Sequence, residues 1–326
     1  MTTTAPSDAS ASSQDTIDVV VHAQRLASER SLLIELRAGH GGLLPSADPG
    51  AHVDVHLGSL IRQYSLIDVS DPTRYLVCVQ HEPTGRGGSK LVHQRLRVGD
   101  RLRISHPRNN FGLHDGPHHA VLVAGGIGIT PLLPMAETLE ASGTSYELHC
   151  YSRGPMPLRE HIEQRAYAHR IVHHDTLIDD SLRAGPPKWT VRDDTIVYAC
   201  GPSGFLEAIT AYAAAAGLAP EALRTERFGV SEPVDVTGGS FTVVAASTGQ
   251  RMPVAQDQTI AHVLESHGYD VALSCEQGFC GACLVGVIEG VPDHRDEIQS
   301  DAEHAANTRI NVCVSRSCTP ELTLDI

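Results

Sequence analysis

The sequence is short of positive charge and has no long uninterrupted apolar segment. Its 326 residues include 25 Lys and Arg against 39 Asp and Glu, a formal net charge of -14 at pH 7. Such a surface repels phosphate backbones and anionic lipids, so we expect no binding to nucleic acid or to a membrane. The longest apolar stretch, residues 120–136, is interrupted by glycines and prolines, which excludes it as a membrane span.

The N-terminal residues lack the features of an export signal. Residues 1–14 are rich in Thr, Ser and Ala and contain neither a basic residue nor an apolar core. We expect residues 1–15 to form a disordered tail. Nothing in the spacing of the eight cysteines favours disulfides, and Cys78 and Cys200 lie in apolar runs typical of buried free thiols. A reducing, cytoplasmic setting is therefore expected.

Four cysteines near the C-terminus have a spacing that indicates a metal centre. Cys275, Cys280 and Cys283 follow a C-x4-C-x2-C pattern, and Cys313 stands thirty residues further on, in a segment 311–314 that we predict as a short strand. Plant-type ferredoxins hold a [2Fe–2S] cluster with this spacing. Zinc is the alternative, but structural zinc sites favour two C-x2-C pairs and only one is present. Cys318 is a second candidate for the fourth ligand.

The N-terminal third has the pattern of a small antiparallel β-barrel. Short alternating or apolar runs are separated by turn-forming groups, and we predict strands at 17–21, 31–36, 52–57, 62–67, 75–80 and 100–105. A glycine-rich turn, Gly85–Lys90, precedes a helical pattern over 90–96. Exposed N–H groups at such a helix start can bind phosphate, and Ser89 could cap the helix or donate its hydroxyl. An ordinary surface loop is the alternative.

The middle of the chain has the pattern of a three-layer α/β domain. The apolar run 119–124 predicts a buried parallel strand, and a Gly-Gly-x-Gly-x-Thr-Pro loop and a helix towards residue 142 follow it. Strands are predicted at 146–152 and 195–200, with a helix at 205–216. The loop is not the full G-x-G-x-x-G dinucleotide motif, so alone it is weak. The histidine pairs 118/119 and 173/174 are expected in solvated loops.

The C-terminal part reads as a small separate domain. Residues 231–240 resemble a linker, 241–245 and 251–254 a hairpin, and 259–267 a helix capped by Thr259, while 321–326 closes the sheet. From residue 241 to the end there are twelve acidic and four basic residues, a net charge of -8. This charge either serves solubility alone or steers transient partners.

Together these segments resemble the phthalate dioxygenase reductase and vanillate demethylase reductase family, from about Ile17 to Ile326. In that family a flavin barrel, a nicotinamide domain and a plant-type ferredoxin follow in this order. The segment Arg62-Gln63-Tyr64-Ser65 matches the R-x-Y-S flavin motif. The resemblance implies that Tyr64 packs on the flavin, that Arg62 faces its phosphate side and that Ser65 hydrogen-bonds the ring.

The resemblance extends to three further motifs. It implies a pyrophosphate loop for the nicotinamide cofactor, formed by Gly125, Gly126, Gly128, Thr130 and Pro131. It also implies a nicotinamide pocket at Cys200-Gly201-Pro202. The segment Glu226-Arg227-Phe228 resembles the family's E-x-F, which implies that Phe228 covers the flavin ring until nicotinamide displaces it.

The family implies FMN, with its terminal phosphate at Gly87, Gly88 and Ser89; FAD stays open because R-x-Y-S serves both flavins. It implies NADH, although Ser152 and Arg153 after the second strand leave NADPH open, since an arginine there can pair with a 2′-phosphate. The expected domains are an antiparallel flavin barrel (16–115), a parallel-sheet nicotinamide domain (116–230), the linker 231–240 and an α+β ferredoxin domain of the β-grasp type (241–326).

The implied function is electron transfer from NADH through FMN and a [2Fe–2S] cluster to a separate oxygenase component, a Rieske-type aromatic-ring dioxygenase or O-demethylase. No Rieske motif occurs in this chain. The cofactors carry the chemistry, so no catalytic side chain is expected. A reductase for a haem-thiolate monooxygenase is one alternative, and a non-enzymatic electron carrier or redox sensor is another. A monomer is expected.

Overall fold

Three β-sheets, each from a different stretch of sequence, organise the molecule. The computed structural model describes residues 16–58, 60–116, 118–178, 182, 187, 189–228 and 234–326. The predicted tail and the first three residues of the predicted linker lie outside these ranges. None of the helices within them has the length and apolar character that crossing a bilayer requires.

The first sheet is antiparallel and closes on itself. Its six strands lie in the order β4-β3-β6-β1-β2-β5, with bounds β1 Thr16–Ser28, β2 Ser31–Ala38, β3 His52–Leu57, β4 Leu60–Ser65, β5 Tyr75–Gln80 and β6 Arg101–Ser105. An antiparallel bridge between Leu66 and Val77 joins the two edges. Alternate Val, Ile and Leu side chains point inward and fill the barrel. Helix α1 (Gly88–Arg95) lies between β5 and β6.

The second sheet is parallel, in the order β11-β10-β7-β8-β9. Its strands are β7 His119–Gly125, β8 Tyr146–Ser152, β9 Ile171–Asp175, β10 Thr195–Gly201 and β11 Leu223–Arg227. Every residue of β7 is buried, as expected for a central strand covered on both faces. The helices are α2 Leu132–Ser142, α3 Arg159–Ile162 and α4 Ser203–Ala215. Sequence reasoning found β7, β8 and β10 but missed the outer strands β9 and β11.

The expectation of solvated histidine pairs is wrong for three of the four rings. His118, His119 and His174 are buried, whereas His173 is exposed. The His174 ring stacks on Tyr151 with centroids 4.1 Å apart and an interplanar angle of 9°. His119 and His174 are strand residues of the parallel sheet and His118 directly precedes β7, so these three rings pack against neighbouring side chains and are not solvated.

The third sheet is mixed, in the order β13-β12-β18-β14-β16. Its strands are β12 Phe241–Ala245, β13 Arg251–Val254, β14 Leu284–Glu289, β16 Arg309–Asn311 and β18 Glu321–Leu324; a separate pair joins β15 Pro292–Asp293 and β17 Arg316–Ser317, and the helices are α5 Ile260–Ser266 and α6 Asp301–Ala306. The predicted hairpin is confirmed, and so is the Thr259 cap, whose side chain accepts from the His262 N–H at 3.1 Å. The predicted strand 311–314 is wrong, because β16 ends at Asn311 and Cys313 lies in the following turn.

A buried arginine holds the end of the predicted linker against the third sheet. The guanidinium of Arg316 donates to four backbone carbonyls at 2.7–3.0 Å, those of Val236, Gly239, Ala255 and Gln258. Its carbon lies 5.2 Å from the centre of the Phe241 ring. Arg295 donates to the carbonyls of Asp235 and Thr237. The segment 235–239 is therefore fastened to the C-terminal domain rather than free.

We expect Arg316→Ala to destabilise the C-terminal domain by about 3 kcal/mol or more, because it leaves several buried carbonyls without a donor. Arg316→Lys should recover only part of this loss, since one ammonium cannot span four acceptors. Thermal melts followed by visible absorbance and circular dichroism measure the effect. Arg309→Ala, at an exposed arginine of β16, is the control. Equal melting temperatures for the variants at 316 and 309 would contradict this account.

Candidate redox site

Four buried cysteine sulfurs converge in the loop before β14 and the turn after β16. The side chains of Cys275, Cys280, Cys283 and Cys313 lie close enough together to shift the thiol pKa of Cys275, Cys280 and Cys313. Backbone N–H groups also point at the sulfurs: that of Gln277 lies 3.4 Å from the Cys275 Sγ, and that of Cys275 lies 3.4 Å from the Cys280 Sγ. All eight cysteines are within the described ranges and none is in a disulfide. Cys318 is exposed, and its thiol donates to the carbonyl of Pro292.

The cysteine loop takes its shape from residues in the left-handed backbone region. Gly278 has φ +79°, and a Cβ there would lie 2.8 Å from the Val314 side chain and 3.1 Å from the Asp296 Cα. Glycine is required at such a point. The neighbouring cysteines lower the pKa of Cys275, whereas interactions with Cys275 and burial raise the pKa of Cys280 and Cys313. Four soft, convergent sulfurs with N–H groups around them suit an iron–sulfur cluster.

A second group of potential metal ligands, His294, Asp296 and His304, packs against this loop and supports it. The Asp296 carboxylate lies 3.8 Å from the His294 Nδ1 and 3.3 Å from the His304 Nε2. The two imidazole rings are stacked, with centroids 4.4 Å apart and planes 16° apart. The nitrogen lone pairs of nearly parallel rings lie in separate planes, so the two histidines cannot coordinate the same ion. The N–H of Glu297 donates to the Gly278 carbonyl, which links this group to the loop.

On the barrel, Arg62 lies across the start of α1. Its guanidinium donates to the Arg86 carbonyl at 2.7 Å, and a Cβ on Gly88 would lie 2.5 Å from the Arg62 Cγ. Gly87 is the N-cap, with φ +86° and no side-chain cap. The expected Ser89 cap is wrong, because its hydroxyl accepts from the Glu82 N–H at 3.0 Å. Uncapped N–H groups beside an arginine suit a phosphate.

The two strands that carry the flavin motif have different environments on their two faces. In the β3–β4 pair, His52 lies opposite Ser65, Val53 opposite Tyr64 and Asp54 opposite Gln63. Tyr64 packs against the barrel core, and burial raises its pKa to about 12. By the alternation of a strand, His52, Gln63 and Ser65 share the other face. Stacking of Tyr64 on a flavin stays a prediction.

That second face holds buried polar atoms without partners. Within the described residues, neither ring nitrogen of His52 has a hydrogen bond, and the same is true of the Gln63 Oε1 and the Glu226 Oε2. The His52 Nδ1 lies 3.9 Å from the Glu226 Oε1. Because buried polar atoms almost always find partners, this face fits a planar polar ligand such as a flavin ring.

Glu226 and His52 are uncharged at neutral pH, whereas Asp54 on the same face is paired with Arg108. Burial raises the pKa of Glu226 to about 8, and burial and the Arg108 charge lower the pKa of His52 to about 4. Cys200 pairs with Glu226 across β10 and β11, and burial raises the pKa of its thiol. The sequence flagged Cys200 and the E-x-F motif but gave no role to Glu226 or His52. A single histidine in an apolar strand offers no signal of its own.

The glycine-rich loop after β7 packs directly onto the end of β10. A Cβ on Gly128 would lie 2.1 Å from the Cys200 carbonyl oxygen, and one on Gly125 or Gly201 would lie under 3.0 Å from the Phe205 ring. Gly126 has φ +58° and open space around its Cα. Close packing thus requires glycine at positions 125 and 128, and of the three glycines in this loop only Gly126 faces open space.

The remaining predicted contacts lie at the carboxyl end of the parallel sheet. Thr130 donates its hydroxyl to the Ile127 carbonyl, and Pro131 is the N-cap of α2. Ser152 shares a hydrogen bond of 2.8 Å with the His173 ring, while Arg153 is exposed. Pro202 is exposed and Phe228 is 42% exposed. Ligands of open parallel sheets bind at this end.

The cysteine loop touches the barrel through contacts that sequence reasoning missed. Ser274 donates to the Asp54 carboxylate at 2.7 Å, and Arg108 donates to its other oxygen at 2.5 Å. The Asn110 amide donates to the Cys280 carbonyl at 3.1 Å. Ser274 and Asp54 are 220 residues apart in sequence, and nothing local in either segment predicts their pairing.

Comparison with known proteins agrees with this geometry. Residues 243–318 match the model of the 2Fe-2S iron-sulfur cluster binding domain. The chain is 42% identical over 316 residues to a vanillate O-demethylase oxidoreductase from Pseudomonas sp. (strain HR199 / DSM 7063), covering 95% of this chain and 100% of that protein. The structure of phthalate dioxygenase reductase matches with a TM-score of 0.69 and 29% identity, over 95% of this chain and 98% of that one.

A fused protein matches as well. The crystal structure of an intact type IV self-sufficient cytochrome P450 monooxygenase aligns with a TM-score of 0.81 and 36% identity over 95% of this chain. This chain spans 41% of the length of that protein.

The three sheets and the cysteine loop define a modular iron–sulfur oxidoreductase with flavin-, NAD- and 2Fe-2S-binding parts. The chain belongs to the family of vanillate demethylase oxidoreductases and phthalate dioxygenase reductase. The resemblance seen in the sequence and the expected fold class are both confirmed. The relatives include reductase components of oxygenase systems, and this chain is a reductase of that kind.

We expect Gly128→Ala to destabilise the protein by about 3 kcal/mol or more, because the new methyl group meets a backbone carbonyl that cannot move away. The matched control is Gly204→Ala in the first turn of α4, where no atom lies within 4 Å. This variant should keep or slightly raise stability. Urea unfolding followed by circular dichroism compares the two, and equal midpoints would contradict the packing role of Gly128.

Glu226 should make stability fall as the pH rises. Unfolded glutamate titrates near 4.5 and folded Glu226 near 8, so the native state holds an extra proton between these values and loses this advantage as the pH increases. Thermal melts of the holoprotein from pH 5 to pH 9 should show a steeper decline for the wild type than for Glu226→Gln, by a few kcal/mol at most. Glu265→Gln, at an exposed position in α5, should follow the wild type. Parallel profiles for all three would disprove the assignment.

Proposed function

We propose that this protein oxidises NADH and delivers single electrons to a separate oxygenase component, using FMN and a [2Fe–2S] cluster. The observation that carries the proposal is the contact between two predicted cofactor sites. The loop that holds Cys275 and Cys280 rests on β3, the strand paired with the Arg62–Ser65 motif.

The proposed division follows the sequence analysis: 16–115 binds the flavin, 116–230 binds the nicotinamide cofactor, 231–240 links, and 241–326 is the ferredoxin domain. The proposed cluster ligands are Cys275, Cys280, Cys283 and Cys313. For the flavin we propose Arg62, Gln63, Tyr64, Ser65, Gly87, Gly88, Ser89 and Phe228. For the nicotinamide cofactor we propose Gly125, Gly126, Gly128, Thr130, Pro131, Ser152, Arg153, Cys200, Gly201 and Pro202.

Bound flavin supplies the chemistry that connects a two-electron donor to a one-electron acceptor. The protein contributes position and environment. Arg62 and the uncapped start of α1 supply positive charge for a phosphate. His52, Glu226 and Cys200 are uncharged groups near Ser65 and offer polar atoms to a ring held there. Backbone N–H groups around the cysteine sulfurs favour the thiolate forms that metals need.

A Rieske-type aromatic dioxygenase or O-demethylase is the proposed partner. The relatives that align over their full length include a vanillate O-demethylase oxidoreductase and a phenoxybenzoate dioxygenase subunit beta, the latter 38% identical. The fused cytochrome P450 match favours a haem-thiolate monooxygenase as the second candidate. We further propose a monomer that works in the cytoplasm. Reduction assays with a Rieske-type oxygenase and with a haem-thiolate monooxygenase distinguish the two candidate partners.

An absorbance spectrum of the purified protein, with the acid-released flavin identified by chromatography, tests the proposal. We expect flavin bands, a broad iron–sulfur absorbance, FMN in the extract, and bleaching of both centres by NADH at lower concentration than by NADPH. Cys283→Ser should lose the iron–sulfur absorbance and keep the flavin, whereas the matched Cys318→Ser should keep both. A colourless zinc protein would sink the proposal. FAD in the extract would correct the flavin alone.

A further inference from the structure

The residue before the first proposed cluster ligand makes a buried hydrogen bond to the barrel. Ser274 is 2% exposed and Asp54 is 4% exposed. The Ser274 hydroxyl donates to the Asp54 Oδ1 at 2.7 Å, while the Arg108 guanidinium donates to the Oδ2 at 2.5 Å. Each oxygen of the carboxylate therefore has its own donor, and one of these donors comes from the cysteine loop.

Asp54 also connects to the strand with the flavin motif. In the register of β3 and β4 it lies directly opposite Gln63, and Gln63 stands between Arg62 and Tyr64 in the sequence. Its backbone N–H donates to the Ser105 hydroxyl at 2.9 Å, which ties it to β6 as well. The side chain of Asp54 is thus held by the barrel, and Ser274 meets a fixed acceptor.

A second contact reaches the same loop five residues after Cys275. The Asn110 amide donates to the carbonyl of Cys280 at 3.1 Å. More exposed ion pairs lie around these contacts, Arg227 with Glu297 at 2.5 Å and Arg86 with Glu276 at 3.9 Å. Exposed pairs contribute little to stability, so the buried serine–aspartate bond is the more specific of these contacts.

We propose that Ser274 and Asp54 are positioning residues that fix the cysteine loop on the flavin barrel and so set the rate of electron transfer from flavin to cluster. The inference rests on the proposed function. Removing the hydroxyl leaves a buried carboxylate oxygen unpaired in the docked arrangement, which disfavours that arrangement. Electron transfer falls steeply with the separation of the two centres, so a displaced loop slows this step and spares hydride transfer to the flavin.

Stopped-flow mixing of holoprotein with NADH, recorded at wavelengths that separate flavin from cluster, tests the proposal. For Ser274→Ala and Asp54→Ala we expect flavin reduction at the wild-type rate and cluster reduction slowed about tenfold, the factor that matches the loss of one hydrogen bond to a charged group. Ser274→Thr keeps a hydroxyl and should restore much of the rate. Ser266→Ala, whose hydroxyl bonds to Val263 and His267 beside it in the C-terminal domain, is the matched control.

The double variant Ser274→Ala/Asp54→Ala should be no slower than the slower single variant, because both changes break the same hydrogen bond. The cluster midpoint potential, measured by redox titration, should stay at the wild-type value. Wild-type cluster reduction in both single variants would overturn the proposal, and so would a slowdown that a shifted potential explains. A wild-type protein whose flavin is not reduced by NADH would instead overturn the proposed function.

Discussion

The structure depends on one constraint: a loop of three cysteines, completed by Cys313 from a separate turn, must be buried and still touch the barrel. Thiolates bound to a metal need nearby N–H donors and exclusion of water. The left-handed backbone at Gly278 bends the loop so that backbone N–H groups can point at the sulfurs. The Asp296 group supports the loop from beneath. Asp54 and Asn110 meet it from the barrel.

The face of His52, Gln63, Ser65 and Glu226, which we propose contacts the flavin ring, has different electrostatic requirements. A charged floor would favour one oxidation state of a bound ring, whereas burial keeps Glu226 protonated up to about pH 8 and His52 neutral down to about pH 4. These buried groups would be costly without a ligand, because their polar atoms lack partners within the described residues. The cost is reduced when a ring with its own donors and acceptors lies against them. For the proposed flavin site, binding energy would therefore come partly from polar groups that the fold leaves unsatisfied.

Local patterns predicted much of this molecule. The C-x4-C-x2-C spacing, the hairpin at 241–254 and strand β8 depend on residues near each other in sequence, and the structure has them where they were expected. The outer strands β9 and β11 were missed because edge strands of a parallel sheet need no continuous apolar run. The buried His118, His119 and His174 were misjudged because composition does not reveal which partners a ring will find. The Ser274–Asp54 bond spans 220 residues, a separation over which sequence pattern carries no information.

The attachment of the predicted linker to the C-terminal domain limits how an electron acceptor can approach this reductase. Arg316 and Arg295 fasten residues 235–239 to the C-terminal domain by hydrogen bonds to their carbonyls. The cysteine loop faces the barrel on one side, so an external acceptor has to approach the cluster from the surface of the C-terminal domain that the barrel leaves open. That domain holds eight of the chain's fourteen net negative charges, and a transient partner with a basic face would be steered to it at low ionic strength.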